Sequence, residues 1–190
     1  MTSTLWPLVQ RIQADEYRDE RDLILAAQRE PAALGELYRQ HYPAVARYVH
    51  RRVGDQHEAE DVISEVFLLM VQHLRRYRCR GVPFRVWLFR LATSQLSRWA
   101  RRRRRWAVRQ LQQHVPATDS SHRVDLEMVD LVLSTLPQRL QSVLWLHYLA
   151  EMKVADVAGV LGCSPGTVKS RLSEGRALMR RRLEKRGFEK

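Results

Sequence analysis

The sequence predicts an all-α protein made of two small helical domains joined by a flexible linker, with a helix-turn-helix in the second domain. Apolar residues recur at helical spacing along most of the 190 residues, and strand-like alternation is scarce. This periodicity is lost between 107 and 124, where Gln, Ser, Thr and Pro accumulate. We therefore predict an N-terminal extension at 1–19, a first domain at 20–106, a linker at 107–124 and a second domain at 125–186.

The first domain begins with three predicted short helices, because proline and glycine interrupt the helical pattern. These helices span about 20–29, 32–41 and 44–53, and the interruptions are Pro31, Pro43 and the Gly54-Asp55 pair. A longer helix is predicted from His57 to about Arg76, with an apolar stripe along one side. Its other side combines acids with a leucine, in the set Asp61, Glu65, Leu68 and Gln72. Such a face is typical of a docking surface for a partner, and a solvated face with one stray leucine is an equally good interpretation.

Basic residues are concentrated in the second half of the first domain. The net charge is +12, and no Asp or Glu occurs between Glu65 and Asp119. Pro83 opens another long helix that runs into five arginines at 101–105, and its acid-free side carries Arg90, Thr93, Ser94, Ser97 and Arg101. Tyr77 and the loop arginines on both sides of it add the aromatic and basic pairing found on unstacked single strands. A nucleic-acid backbone is the expected partner, and a non-specific phosphate or membrane patch is the alternative.

The second domain ends in two short helices around a tight turn, at residues 154–172. Gly162 lies where a turn residue is needed, and the Ser164 hydroxyl is placed to cap the second helix by accepting from the amide of Thr167. The polar face of that helix offers donors and an acceptor for base edges and phosphates in a major groove, namely Thr167, Ser170, Arg171 and Glu174. An ordinary helical hairpin with a solvated polar face is the alternative interpretation.

Catalytic and metal-binding motifs are missing from the sequence. The histidines lie at no metal-binding spacing, there is no glycine-rich phosphate loop, and Cys79 and Cys163 have no partner at metal spacing. We therefore expect a binding protein and not an enzyme, with no cofactor and no metal. No apolar run approaches the roughly 20 residues that span a bilayer, and no signal peptide precedes the acidic stretch after Val9. A cytoplasmic protein without membrane insertion is expected.

Three segments in order resemble bacterial sigma factors of the extracytoplasmic-function group. They are HEAEDVISEVFLLM at 57–70, PFRVWLFRLA at 83–92, and LPQRLQSVLWLHYLAEMKVADVAGVLGCSPGTVKSRL at 136–172. The resemblance covers about 23–105 and 126–184. It implies that the first domain docks on core RNA polymerase and opens the minus-ten promoter element, while the second reads the minus-thirty-five element. The implied partners are the clamp and flap regions of the polymerase, promoter DNA and an anti-sigma protein, with no small-molecule substrate.

The resemblance also implies roles for individual positions. Polymerase docking falls to Glu60, Asp61, Glu65 and Leu68. Binding of the minus-ten element falls to Arg85, Trp87, Arg90, Ser94, Arg98 and Arg101, and the loop 75–82 is placed to hold a flipped base. Binding of the minus-thirty-five element falls to Thr167, Lys169, Ser170, Arg171, Glu174 and Arg176.

Several positions depart from the pattern of the family. Ser64 replaces a usual glutamine, Thr93-Ser94 replaces a frequent Arg-Asn pair, and Glu174-Gly175 replaces a frequent Arg-Ala pair. Glu174 is able either to accept from the N4 amine of cytosine or to repel phosphate. The Glu174 departure therefore predicts altered minus-thirty-five specificity and not lost binding. The Thr93-Ser94 pair leaves the base preference at minus ten open, and Ser64 leaves the detail of the docking contact open.

Two other functions compete with this interpretation. A stand-alone transcriptional regulator would bind duplex DNA as a dimer and would need no docking face, so the acidic helix at 57–70 counts against it. A DNA recombinase or nuclease would need a serine or tyrosine nucleophile in a recognisable setting, which the sequence lacks. A test of binding to core polymerase distinguishes a sigma factor from a stand-alone regulator. A test of DNA cleavage with added magnesium distinguishes it from a recombinase or nuclease.

Overall fold

The computed structural model describes residues 20–78, 82–110 and 124–186, leaving aside the side chains of 107–110, 124–128 and 130. Every regular element in these three ranges is helical, which confirms the predicted fold class. The first four helices are α1 (Glu20–Ala27), α2 (Pro31–Val53), α3 (Gln56–Leu74) and α4 (Phe84–Gln110). The others are α5 (Val124–Thr135), α6 (Gln138–Leu144), which continues as a π-helical turn (Trp145–Leu149), α7 (Val154–Leu161) and α8 (Pro165–Glu184).

Helix α2 corrects one expectation, because Pro43 lies inside it and does not separate two helices. An internal proline costs a helix about 3 kcal/mol through a lost hydrogen bond and a steric clash. Leu37, Val45 and Val49, on both sides of Pro43, are fully buried against the rest of the first domain. Burial of one continuous apolar face outweighs the local penalty, which residue preference alone could not reveal.

Helix α4 extends to Gln110, so its last residues fall inside the segment predicted as linker. Arginine is a good helix former, and the five arginines at 101–105 continue the helix although the apolar stripe has ended. The rest of the predicted flexible linker, residues 111–123, lies outside the described residues.

The second domain is built around the helix-turn-helix of α7 and α8. Gly162 ends α7 in the left-handed conformation, with φ of 64°, which a glycine adopts without steric cost. Val157 of α7, Val168 of α8, and Leu140 and Leu146 of the preceding helical segment are fully buried in one apolar cluster. The predicted helix-turn-helix is thus present, and apolar side chains pack its second helix onto the rest of the domain.

The two domains pack against each other, a contact that the sequence did not predict. Helix α4 lies on α7, and α2 lies on the π-helical turn. Val86 is buried, and a Cβ atom at Gly159 would lie 3.0 Å from its Cγ1, so α4 and α7 approach closely. The buried side chains of both domains form one continuous cluster. The helix predicted to meet the minus-ten element therefore faces the helix-turn-helix.

Candidate nucleic-acid interfaces and docking surface

Helix α8 is anchored at its start by Ser164. The Ser164 Oγ accepts from the backbone N–H of Thr167 at 3.1 Å, as predicted, and Pro165 occupies the first turn. Val168 and Leu172 bury one side of the helix. The opposite side leaves four predicted minus-thirty-five residues exposed and two half-buried: Lys169, Ser170, Glu174 and Arg176, then Thr167 and Arg171.

Glu174 is paired within the protein. Its carboxylate accepts from Nη2 of Arg139, on α6, at 2.9 Å. The pairing neutralises the acid on this face, so repulsion between Glu174 and a phosphate is reduced. It also places the guanidinium of Arg139 beside α8. Arg176 lies similarly close to α6 and its π-helical turn, with its Nη1 3.4 Å from the hydroxyl of Tyr148. Neither Arg139 nor Tyr148 was singled out from the sequence, because both lie outside the helix-turn-helix pattern.

Gly175 explains part of a departure from the family pattern. It is buried, and a Cβ atom there would lie 3.0 Å from Cδ1 of Leu144. Helix α8 therefore packs more closely on α6 than an alanine would permit without movement of Leu144. The Glu174-Gly175 pair thus combines a surface charge change with a tighter helix contact.

Helix α4 places two predicted minus-ten residues against the second domain. Arg85 Nη2 donates to the carbonyl of Ala150, and Arg90 Nε donates to the carbonyl of Gly159 at 2.9 Å. Ser94, Arg98 and Arg101 are exposed farther along the helix. The structure therefore separates these residues into a pair engaged by the second domain and a set in solvent.

The aromatic residues near the start of α4 form a packed cluster. Trp87 is half-buried, with its ring centroid 5.0 Å from Tyr77 and 5.2 Å from Phe84. Tyr77 is only 9% exposed, and its hydroxyl donates to the carbonyl of Val82 at 2.8 Å. The expectation that Tyr77 offers a surface ring to single strands is therefore wrong, because the ring belongs to the core. Residues 79–81 of the predicted base-holding loop lie outside the described residues.

Thr93 also has a role within the fold. Its Oγ1 lies 3.3 Å from the hydroxyl of Tyr48, which is fully buried on α2. A threonine at this position satisfies a buried polar group, as buried hydroxyls require. This contact gives the Thr93 departure a structural reason that the sequence pattern did not contain.

Helix α3 carries the predicted docking surface. Asp55 caps it by accepting from the N–H of Glu58 at 2.8 Å. Leu68 is 58% exposed and Val71 is 44% exposed, one helical turn apart. Val71 was not predicted, although an i, i+3 apolar pair on an exposed face was the available signal. The face therefore has two exposed apolar side chains beside its acids, whereas the alternative of an ordinary solvated face assumed a single leucine.

The acids of this surface differ in their partners. Glu60 lies 3.2 Å from Nε2 of His50, and Glu65 lies 3.5 Å from Nη1 of Arg102. Asp61 is exposed and has no ion-pair partner among the described residues. Tyr38 borders the surface, and partial burial, followed by the charges of Tyr42 and Glu60, raises its pKa. Asp61 is therefore the acid of this face that is most available to a partner.

His41 is a buried histidine of the first domain. It is 7% exposed and its ring centroid lies 5.0 Å from that of Phe84. Burial, and secondarily the positive charge of Arg85, lower the pKa of His41 to about 4. The ring is therefore neutral at pH 7, although Glu20 Oε1 lies 3.5 Å from its Nε2.

Within the described residues, no group of three or more His, Cys, Asp or Glu side chains is arranged to hold a metal ion. None of the helices in the same ranges has the length and apolar character needed to cross a membrane.

Family models match both domains. The model for Sigma-70 region 2 matches residues 37–106, and the model for Sigma-70, region 4 matches residues 126–179. These ranges correspond to the part with the docking surface and α4, and to the part with the helix-turn-helix. The predicted order of the two functions along the chain is the order of the two matched regions.

Individual relatives agree with these matches. The chain is 30% identical to the ECF RNA polymerase sigma factor SigL of Mycobacterium tuberculosis over 168 residues, which cover 85% of this chain and 95% of SigL. It is also 30% identical over 164 residues to the ECF RNA polymerase sigma factor SigE of Mycolicibacterium smegmatis, covering 81% of this chain and 63% of SigE. Similarity to SigL thus extends over nearly the whole relative.

Solved structures share the fold. CnrH, in its complex with the cytosolic domain of CnrY, superposes with a TM-score of 0.72 at 23% identity, covering 87% of this chain and 97% of CnrH. The sigma factor RpoE of Bartonella quintana, in complex with the anti-sigma factor NepR, superposes with a TM-score of 0.68 at 19% identity, covering 80% of this chain and 96% of RpoE. The matched regions and the similarity to SigL show that the chain belongs to the extracytoplasmic-function sigma factors, which bind core RNA polymerase and promoter DNA and direct promoter-specific transcription initiation.

Proposed function

We propose that this sigma factor uses three surfaces in initiation: the α3 face for polymerase docking, the exposed side of α4 for the minus-ten element, and the exposed side of α8 for the minus-thirty-five element. It acts in the cytoplasm by binding alone, without catalysis. The observation that carries the proposal is the two-sided character of α8, where Val168 and Leu172 are buried and Lys169 and Ser170 face solvent. That division lets the helix enter a major groove without unfolding its domain.

The minus-ten function requires the domains to separate. Arg85 and Arg90 donate to carbonyls of the second domain, and these donors must be released before they are able to contact DNA. Polymerase that holds each domain at its own site favours the open arrangement, because a partner shifts an equilibrium toward the state it binds better. Both promoter elements are then engaged by tethered modules at high effective concentration.

The minus-thirty-five function uses a charge pattern shared by two helices. Glu174 stands on α8 where the family pattern often has an arginine. Arg139 on α6 supplies a guanidinium close to this position, with its Nη2 2.9 Å from Oε1 of Glu174. We infer that Arg139 contacts a backbone phosphate, because a guanidinium forms paired hydrogen bonds with phosphate oxygens. The sequence preference then rests mainly on Ser170 and Arg171.

An anti-sigma protein is the proposed regulatory partner. The relatives CnrH and RpoE of Bartonella quintana were solved with CnrY and with the anti-sigma factor NepR. For this chain, the exposed α3 face and the exposed arginines of α4 offer acidic-apolar and basic surfaces for such a partner.

Run-off transcription with purified core polymerase on a promoter library tests the function. We expect selective initiation from a small set of promoters, and Asp61→Arg is expected to weaken core binding at least tenfold, about 1.4 kcal/mol. Asp22→Arg, an equal charge change at an exposed aspartate of α1, serves as the matched control and should retain binding. Wild-type core affinity of Asp61→Arg would reject the docking assignment, and absence of selective initiation would reject the function itself.

A further inference from the structure

A cleft of about 390 Å³ lies between the two domains. One wall is formed by the end of α2 and the C-terminal half of α4, and the other by α5, α6 and the start of the π-helical turn. Its volume falls within the range of roughly 300 to 1,000 Å³ that is usual for small-molecule sites. None of the individual residues assigned above to polymerase docking or to promoter contact lines this cleft.

The charge of the cleft comes from three guanidiniums. Arg52 lies over the ring of Trp145, with its Cζ 4.4 Å from the ring centroid, and Arg103 lies over Trp99 at 5.4 Å. Arg104 has no ion-pair partner among the described residues. An arginine that packs its guanidinium over an aromatic ring retains N–H groups that are able to donate to an anion.

Counter-charge is scarce around these arginines. Among the described residues that line the cleft there is no carboxylate. Glu58 lies outside the lining and pairs with Arg103 at 3.3 Å, so Arg52 and Arg104 are the lining guanidiniums without a carboxylate partner among the described residues. The cleft therefore concentrates positive charge at a concave surface, where an anion is held more strongly than on a flat one.

The remaining lining suits an organic body as well as charges. Leu96, Ala100 and Leu136 supply apolar surface, and Gln138 supplies an amide. Trp145 is only 4% exposed, and its Nε1–H has no acceptor among the described residues. A buried donor without an acceptor costs about 1–3 kcal/mol, so the unpaired Nε1–H is a local cost of the packed arrangement at this wall of the cleft.

We propose that this cleft binds an organic polyphosphate, such as a nucleoside triphosphate, with its phosphates on Arg52, Arg103 and Arg104 and its organic part against Leu96 and Leu136. Arg52 and Arg104, which have no carboxylate partner among the described residues, and Arg103, which is paired with Glu58, offer N–H donors to the oxygens of a di- or triphosphate group. The site takes the molecule as a ligand and performs no reaction on it.

Ligand binding has a consequence for initiation, which rests on the proposed function. The lining residues come from both domains, so the complete site exists only while the domains are packed together. A ligand that binds the closed arrangement stabilises it in proportion to its differential affinity. The polyphosphate is therefore expected to oppose the domain separation that frees Arg85 and Arg90, and to act as a negative regulator.

Isothermal titration of the full chain with ATP, pyrophosphate and adenosine, at low salt and without magnesium, tests the site. We expect one ATP per chain, pyrophosphate at least tenfold weaker, and no detectable adenosine binding at millimolar concentration. Equal binding of pyrophosphate and ATP would overturn the role of the organic part. Absence of ATP binding would overturn the whole proposal while leaving promoter function untouched, because the titration contains neither polymerase nor DNA.

Substitutions at two neighbouring arginines distinguish binding of ATP in the cleft from general attraction of ATP to a basic protein. Arg104→Gln removes a lining guanidinium, and Arg105→Gln makes the same charge change at the adjacent exposed position outside the lining. Arg104→Gln is expected to weaken ATP at least fivefold, with Arg105→Gln within twofold of the unaltered chain. Equal losses in the two variants would show that ATP binds by non-specific charge and would overturn the site.

Discussion

Helices α4 and α8 are both basic helices with hydroxyl-bearing faces, yet the structure uses these faces differently. The polar side of α8 lies in solvent, whereas Arg85 and Arg90 of α4 are bound to backbone carbonyls of the other domain. Carbonyl and phosphate oxygens accept from a guanidinium through the same chemistry. The difference teaches that an arginine row predicts acceptor oxygens as partners, without deciding whether they belong to nucleic acid or to the protein itself.

The largest expected effect comes from forcing α4 and α7 apart. A Cβ atom at Gly159 would already lie 3.0 Å from Val86 Cγ1, so Gly159→Trp overpacks the contact by about 3 kcal/mol. The closed arrangement should give way to an open one, measured as an increased distance between fluorescent labels on the two domains. If the second domain is what keeps Arg85 and Arg90 of α4 from contacting DNA, the open variant should also bind minus-ten single strands more tightly than the unaltered chain.

A second bulky substitution controls for general disturbance. Gly35→Trp adds the same side chain on α2, where a Cβ atom meets only the flexible end of Arg39, at 3.7 Å. Its label distance should match that of the unaltered chain. An unchanged distance in Gly159→Trp would contradict the packed arrangement of the domains, and equal opening in both variants would contradict the specific role of the α4–α7 contact.

Arg171→Ala sharpens the comparison on the exposed side. This substitution should cost about 1–3 kcal/mol in binding of the holoenzyme to its cognate minus-thirty-five duplex if Arg171 contacts base edges, as we propose. Arg180→Ala, on the exposed surface of the same helix but outside the predicted reading set, should cost less and should leave base preference unchanged. Affinity measured on cognate and scrambled duplexes checks both. Equal losses on the two duplexes would move Arg171 from base reading to backbone contact.

Burial of His41 makes the stability of the first domain depend on pH. The pKa of His41 is about 4 in the folded first domain and near 6.5 when the chain is unfolded, so the unfolded state binds the proton first as pH falls. Stability is therefore full above about pH 6.5 and is lost as the pH falls toward 4, by about 2 kcal/mol at pH 4.5. Urea unfolding at pH 7 and 4.5 measures the loss, and His41→Leu should reduce it. The same pH dependence in His41→Leu would assign the loss to other groups.

Periodicity and boundary residues predicted much of the fold. The Ser164 cap, the Gly162 turn and the buried stripe of α3 follow from local sequence and are present. Pro43 and Tyr77 were misjudged because their surroundings come from distant parts of the first domain. The α4–α7 contact was not predicted, because apolar residues such as Val86 carry no sign of which surface will cover them. A single sequence records the tendency to be buried, and the partner is decided by the fold.

The smallest expected effect comes from substituting Arg139 and Glu174, to test whether a cation at position 174 is able to replace Arg139. Exposed ion pairs contribute only about 0.2–1 kcal/mol, so neither single substitution should unfold the second domain. Arg139→Ala should lower affinity for all duplexes and reduce the salt dependence of binding by about one phosphate contact, while Glu174→Arg should restore the cation on α8. In the double variant, Glu174→Arg should compensate for the loss of Arg139, because the two positions supply one guanidinium to the same phosphate. Additive losses in this cycle would show that Arg139 and position 174 act on separate parts of the duplex.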